Sequence, residues 1–234
     1  MATTATRPFQ FFTRLHLREL TGLRAANLAQ LLKLLERVPD AAIYHHTHQF
    51  VQRHQYLLPQ PANDFAHWVT TALGDEGLGE RLASIDPLQY ASLRDLRQAL
   101  SAVLRAHLDQ RPFSRLRTAP PGQEFHFVKA TSFILPTPYR VQTLEAFADA
   151  VQHVTGDAIY FHLFEARLRL GRSTNDFSLW LEEALGEREL AAQIAQLDPY
   201  TRTLDGVRQA ILDCVRPRLA SAPAEALPEL NHGR

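Results

Sequence analysis

The segment "AAIYHHTHQFVQRH", residues 41–54, places His45, His46, His48 and His54 in one short stretch, and clustered imidazoles are raw material for a transition-metal site. A zinc site needs three or four imidazole, thiolate or carboxylate donors converging at about 2 Å. On a helix His45 and His48 share a face while His46 turns away. His45, His46 and His48 are therefore weak metal candidates, and packed or surface histidines are the simpler expectation. Asp40, Asp64 and His67 can add ligands only if folding brings them close.

A second set recurs along the chain: Tyr44, His46 and Arg53 have counterparts in Tyr160, His162 and Arg169, and Arg24 has one in Arg140. His46 and Arg53 lie two helical turns apart, as do His162 and Arg169. If the two faces meet, the imidazoles, guanidiniums and phenols can line one pocket suited to an anionic or sugar-like ligand. The alternative is that these side chains hydrogen-bond between helices, as buried polar groups usually do. By contrast, His45, His48 and His54 stand where the other half has Phe161, Phe164 and Leu170, which points to a partly buried aromatic setting.

The elements that must position these residues are written twice. "FQFFTRLHLRELTGLRAANLAQLLKLLERVPDAAIYHH" from Phe9 aligns without gaps to "FHFVKATSFILPTPYRVQTLEAFADAVQHVTGDAIYFH" from Phe125. "NDFAHWVTTALGD" then lies over "NDFSLWLEEALGE", "LASIDP" over "IAQLDP", and "LRDLRQAL" over "LDGVRQAI". The same order in both halves indicates an internal duplication. The units are expected at 9–108 and 125–219, joined by a Pro-containing linker at 109–124 and followed by a disordered tail at 220–234.

In each unit alternating apolar residues (Phe9, Phe11, Leu15, Leu17; Phe125, Phe127, Phe133) predict a half-buried strand. Thr21 and Thr137 fit helix N-caps, with Pro138 at a first helical position. Leu28, Leu31, Leu35 and Val38, matched by Leu144, Phe147, Val151 and Val154, have the spacing of an amphipathic helix. Further helices are expected through the histidine segment, from Asp64 to Leu73 ending at Gly74, near Leu82, and from Asp86 to Leu108. Asp64, Asp176, Asp86 and Asp198 read as helix caps, Asn63 and Asn175 as residues of the preceding turns, and Trp68 and Trp180 as core.

The expected fold is α+β and predominantly α-helical: two tandem homologous units related by a pseudo-twofold, each with one N-terminal strand and about four or five helices. One strand cannot satisfy its backbone alone. The two strands are therefore expected to pair with each other, so that the units share one globule.

"TGLRAANLAQLL", "AIYHHTH", "NDFAHWV" and "ERLASIDP", with their counterparts, resemble the prokaryotic family called domain of unknown function 5752. The resemblance spans nearly all of the chain apart from linker and tail. It implies no reaction, ligand or catalytic residue. Its usual segment is more aromatic than "YHHTH", so the extra histidines look like a departure from the pattern.

Composition narrows the function classes. The 234 residues have zero formal net charge and are 45% hydrophobic, leaving no global field for nucleic acid or anionic membrane. "RPFSRLR" alone is a slight basic–aromatic signal. Lys33 and Lys129 are the only lysines, a pattern of GC-rich bacterial coding. Cys214, alone and within "AILDCV", reads as a packing thiol. No phosphate-binding glycine loop, GxGxxG, HExxH or GxSxG occurs. No apolar run reaches the length of a membrane span and "MATTATRPFQ" lacks a signal-peptide core, so the expected compartment is the cytoplasm. The expectation is a non-catalytic binding or regulatory protein, without a cofactor, acting through a partner protein or small ligand; homo-oligomers are allowed. The alternative is an enzyme or a metal- or ligand-handling protein with a pocket at the repeat interface, using the paired His, Tyr and Arg.

Overall fold

Alternation of apolar and polar residues from Phe9 and from Phe125 produces two long strands, β1 (Phe9–Ala25) and β2 (Phe125–Val141). The protein, seen in a computed structural model, is described over residues 4–49, 63–170, 174–198 and 202–221. β1 and β2 pair antiparallel as a two-stranded sheet. Phe9 pairs with Val141 and Ala25 with Phe125; Gln10 pairs with Arg140 and Arg24 with His126; His16 faces Ser132 near the middle.

The helices are α1 (Leu28–Leu35), α2 (Asp40–His46), α3 (Asp64–Thr71), α4 (Glu76–Ala83), α5 (Leu93–Gln110), α6 (Leu144–His153), α7 (Gly156–Leu163), α8 (Ala166–Leu170), α9 (Asp176–Leu185), α10 (Arg188–Ala195) and α11 (Leu204–Ser221). The fold is α+β and mostly helical. Among the described residues no helix is long and apolar enough to cross a membrane.

Each strand begins in the core of the other half. Phe9 and Phe11 pack with Phe147, Phe177 and Trp180 of α6 and α9. Phe125 and Phe127 pack with Phe65 of α3, and Phe125 also meets Trp68. The indole N–H groups fix the crossing: Trp68 donates to the Gln123 carbonyl at 2.6 Å and Trp180 to the Arg7 carbonyl at 2.9 Å. Burying each Phe contributes roughly 2–3 kcal/mol, so exchanging strands ties the halves together through their most apolar residues.

Several local expectations are corrected. Thr21 and Thr137 are strand residues, not helix caps; their hydroxyls donate to the Phe127 and Phe11 carbonyls at 2.7 and 2.9 Å. The strands run past them because the pairing shifts register at either end. Pro138 falls in one irregular stretch, where no ladder N–H is required of it. Gly22, with φ +75°, falls in the other. The N-caps of α1 and α6 are Asn27 and Thr143, accepting from the Gln30 and Ala146 amides.

Asn63 and Asn175, not the following aspartates, cap α3 and α9, accepting from Ala66 and Ser178. The expected helix from Asp86 to Leu108 is broken. Asp86 caps a short 3-10 turn at Pro87–Gln89, and Ser92 caps α5 afresh. The match to Asp86 at Asp198-Pro199 reaches outside the described residues, as do Arg53, His54 and the tail from 222.

Candidate functional site

Freed from capping, the first carboxylates of α3 and α9 take another role. His46 Nδ1 lies 2.7 Å from Asp64 Oδ2, and its Nε2 accepts the Val128 backbone N–H at 2.9 Å. His162 repeats this: Nδ1 is 2.6 Å from Asp176 Oδ2 and Nε2 accepts the Phe12 N–H at 2.7 Å. An imidazole nitrogen that accepts an N–H is unprotonated, so the proton sits on Nδ1 and is donated to the carboxylate. Each ring thus bridges a helix start in one half to a strand that begins in the other. An amide spent this way is not spent on the neighbouring strand, so the pair also protects a sheet edge.

Charge follows from this geometry. Burial pushes the His162 imidazole below its ordinary range, against the pull of Asp176. Burial works against the Asp176 anion as well, but hydrogen bonds from His162 and Arg169 outweigh it and hold the carboxyl low. Arg169 lies 2.6 Å from Asp176 Oδ2 and 3.1 Å from the Phe161 carbonyl, its guanidinium carbon 4.0 Å from the Phe161 ring centroid. His162 and Arg169 do not share one helix as their spacing suggests: the chain turns between α7 and α8, and the two side chains meet at one carboxylate across that turn.

A second cluster lies under the middle of the sheet. Arg14 and His16 project from β1 toward the helices. Arg14 Nη1 pairs with Glu165 Oε2 at 2.7 Å, with side chains 14% and 2% exposed. The Tyr44 hydroxyl donates to Glu165 Oε1 and lies 3.4 Å from His16 Nε2. Burial, then the Glu165 charge, pushes the Tyr44 phenol up. Burial also raises the Glu165 carboxyl, opposed by Arg14.

Tyr160 donates to the His48 carbonyl at 3.0 Å. The His48 ring stacks on Tyr44 with centroids 5.6 Å apart. Burial holds its imidazole down at about 4, against Asp86 and a bond to the Pro87 carbonyl.

Tyr44 and Tyr160 thus both reach His48, one through its ring and one through its carbonyl, whereas His46 and His162 sit in separate cores. Arg24 and Arg140 stand exposed near strand ends. His45, His46 and Asp64 come together, with one donor atom of each within 4.8 Å of the others, while His48 goes instead to Tyr44. The donor types suit zinc, but both His46 nitrogens are already engaged, and an ion must displace the Val128 amide or the Asp64 contact. The triad fits a metal poorly.

An open groove of about 270 Å³ runs beside the second relay, lined by Gln10, Phe12, His162, Arg169, Asp176 and Trp180 among others. Sequence reasoning missed Arg14 and Glu165. One signal was present: the corresponding positions in the other half hold Ala130 and Gln49, so cation and anion are absent there together.

Together these features define a mostly helical α+β protein whose two-stranded sheet is held near either end by a His–carboxylate pair. The chain belongs to the Family of unknown function (DUF5752), whose profile matches residues 6–216. It is similar to the solved structure of OrfY from Thermoproteus tenax, an archaeon, with 29% identity, 92% of this chain and 96% of that chain covered, and a TM-score of 0.74. No curated protein matches the chain.

Proposed function

We propose that this chain is a non-catalytic binding or regulatory protein of the cytoplasm, built from two fused copies of one unit related by a pseudo-twofold, and that it acts through a protein contact on its sheet. The observation that carries this is how the paired polar residues are used. His46 and His162 bind backbone and carboxylate, Tyr44 and Tyr160 bind Glu165 and a carbonyl, and Arg169 binds Asp176. Each of these side chains is engaged by the protein itself, as a brace requires.

The duplication is supported by the pairing register. The Phe9–Val141 pair corresponds under the sequence match to Phe125–Ala25, and Phe12–Pro136 to Val128–Leu20. The sparse lysines support a bacterial source.

A second reading, an enzyme or a metal- or ligand-handling protein, is favoured by the groove at His162 and Arg169. A thermal-shift panel of inorganic phosphate, sulfate, sugar phosphates and divalent metals, run on the wild type and on Arg169→Gln, separates the two. Binding-protein function predicts no saturable stabilisation by any of them. A concentration-dependent rise in melting temperature that disappears in Arg169→Gln moves the function to the groove.

A further inference from the structure

Helices pack under the middle of one face of the sheet, at Arg14 and His16, and the opposite face is bare there. Leu15 pairs with Phe133, Leu17 with Thr131 and Thr13 with Leu135, so Leu15, Leu17, Phe133 and Leu135 share the face opposite Arg14 and His16. Their exposures are 60%, 61%, 48% and 46%. Large side chains of roughly 200 Å² each then leave on the order of 400 Å² of contiguous apolar surface in water. One side of a standard protein interface buries about 800 Å², a little over half of it apolar, or about 450 Å². The bare face alone supplies that share.

From this we infer that the outer face of the sheet is covered by a second copy of the chain, sheet against sheet, in a symmetric dimer. The inference rests on the protein-contact function proposed above and names the partner. The route is face-on because the edges are obstructed: the Phe12 and Val128 amides are taken by His162 and His46, and β2 carries Pro136 and Pro138. An apolar sheet face is best met by another sheet about 10 Å away, and an identical copy brings one.

Charge permits it. The chain is neutral overall, so copies do not repel. Beside the apolar rows, on the same face, Glu19 and Lys129 pair at 3.1 Å. A border carrying both signs can pair with its own copy, as an isologous contact requires.

The test is sedimentation equilibrium of the full chain across nanomolar to high-micromolar concentrations, with Leu17→Glu/Phe133→Glu and the milder Leu15→Thr/Phe133→Thr alongside. Far-UV circular dichroism and melting confirm that each variant is folded. The expected result is a wild-type mass rising to twice 26.5 kDa, with the dimer dissociation constant at least a hundredfold weaker in the folded variants. A wild type that stays monomeric, or a dimer untouched by both variants, overturns the inference.

Binding of the apolar dye ANS then separates the two failures. A monomer whose dye binding is lost in Leu17→Glu/Phe133→Glu sinks the second copy but keeps the face as a site for a different protein. A monomer without dye binding sinks the proposed protein contact too.

Discussion

His48 offers a direct measure of how tightly the two halves close on each other. Its ring lies buried against Tyr44, its Nδ1 is 3.1 Å from Thr47 Oγ1, and burial lowers its pKa from 6.5 to about 4. The unfolded chain therefore takes up this proton more readily than the folded one. Stability from the neutral ring is fully present above pH 6.5 and is lost as the pH falls from there toward 4. The whole interval corresponds to roughly 3 kcal/mol, of which about 2 kcal/mol is lost between pH 7 and pH 5.

His48→Gln keeps an N–H donor for the Pro87 carbonyl and removes the titration. His162, whose pKa burial also lowers, acts in the same direction, and Glu165, whose pKa burial raises, acts in the opposite one. Both groups are present in wild type and variant and cancel in the comparison. Urea unfolding at pH 7, 6 and 5 is expected to show the variant losing about 2 kcal/mol less than the wild type across that range. Parallel stability profiles would refute the claim that His48 is enclosed and neutral at the junction.

Three further outcomes follow from the same contacts. His46→Ala and His162→Ala each leave a part-buried strand amide without its acceptor, so each should lower unfolding free energy by about 1–3 kcal/mol; denaturant titration checks this, and a cost in only one of the two would break their equivalence. Glu165→Gln or Arg14→Ala alone strands a charge and should cost about 3–5 kcal/mol, whereas the double variant, which reproduces the Ala130 and Gln49 of the other half, should cost less than the two singles summed, by about 1 kcal/mol or more in a double-mutant cycle. Zinc added in excess should leave the melting temperature unchanged, since both His46 nitrogens are engaged; a rise abolished by His45→Ala would restore the histidine cluster as a metal site.

The strands, the amphipathic helices and the aromatic cores could be read from period and repetition, because burial imposes those patterns on each element separately. The ends of the strands could not. Thr21 and Thr137 look like caps in one dimension, and only the partner strand's carbonyls reveal that their hydroxyls close register shifts. The same holds for "NDF": Asn and Asp are both good caps, and the choice between them is made by a histidine from another helix that claims the carboxylate.

The His, Tyr and Arg that match between the halves fit either a ligand site or a brace, and the match alone does not distinguish them. The distances favour the brace. An imidazole whose two nitrogens are satisfied by an amide and a carboxylate has neither a lone pair nor a proton left for a substrate. The residues present in only one half carry different information. Arg14 with Glu165 introduces a buried ion pair where the other half manages with Ala130 and Gln49. The pair joins β1 to the segment that follows α7, whereas among the described residues β2 has no such pair where it crosses the opposite half. If the fold is a symmetric scaffold, that one-sided pair is a buried charge difference between the two halves, and it lies beneath the bare apolar face. A partner seated on Leu15 and Leu17 would bear on the strand whose inward side chain, Arg14, holds Glu165, so closure of that face and strength of the ion pair should be coupled.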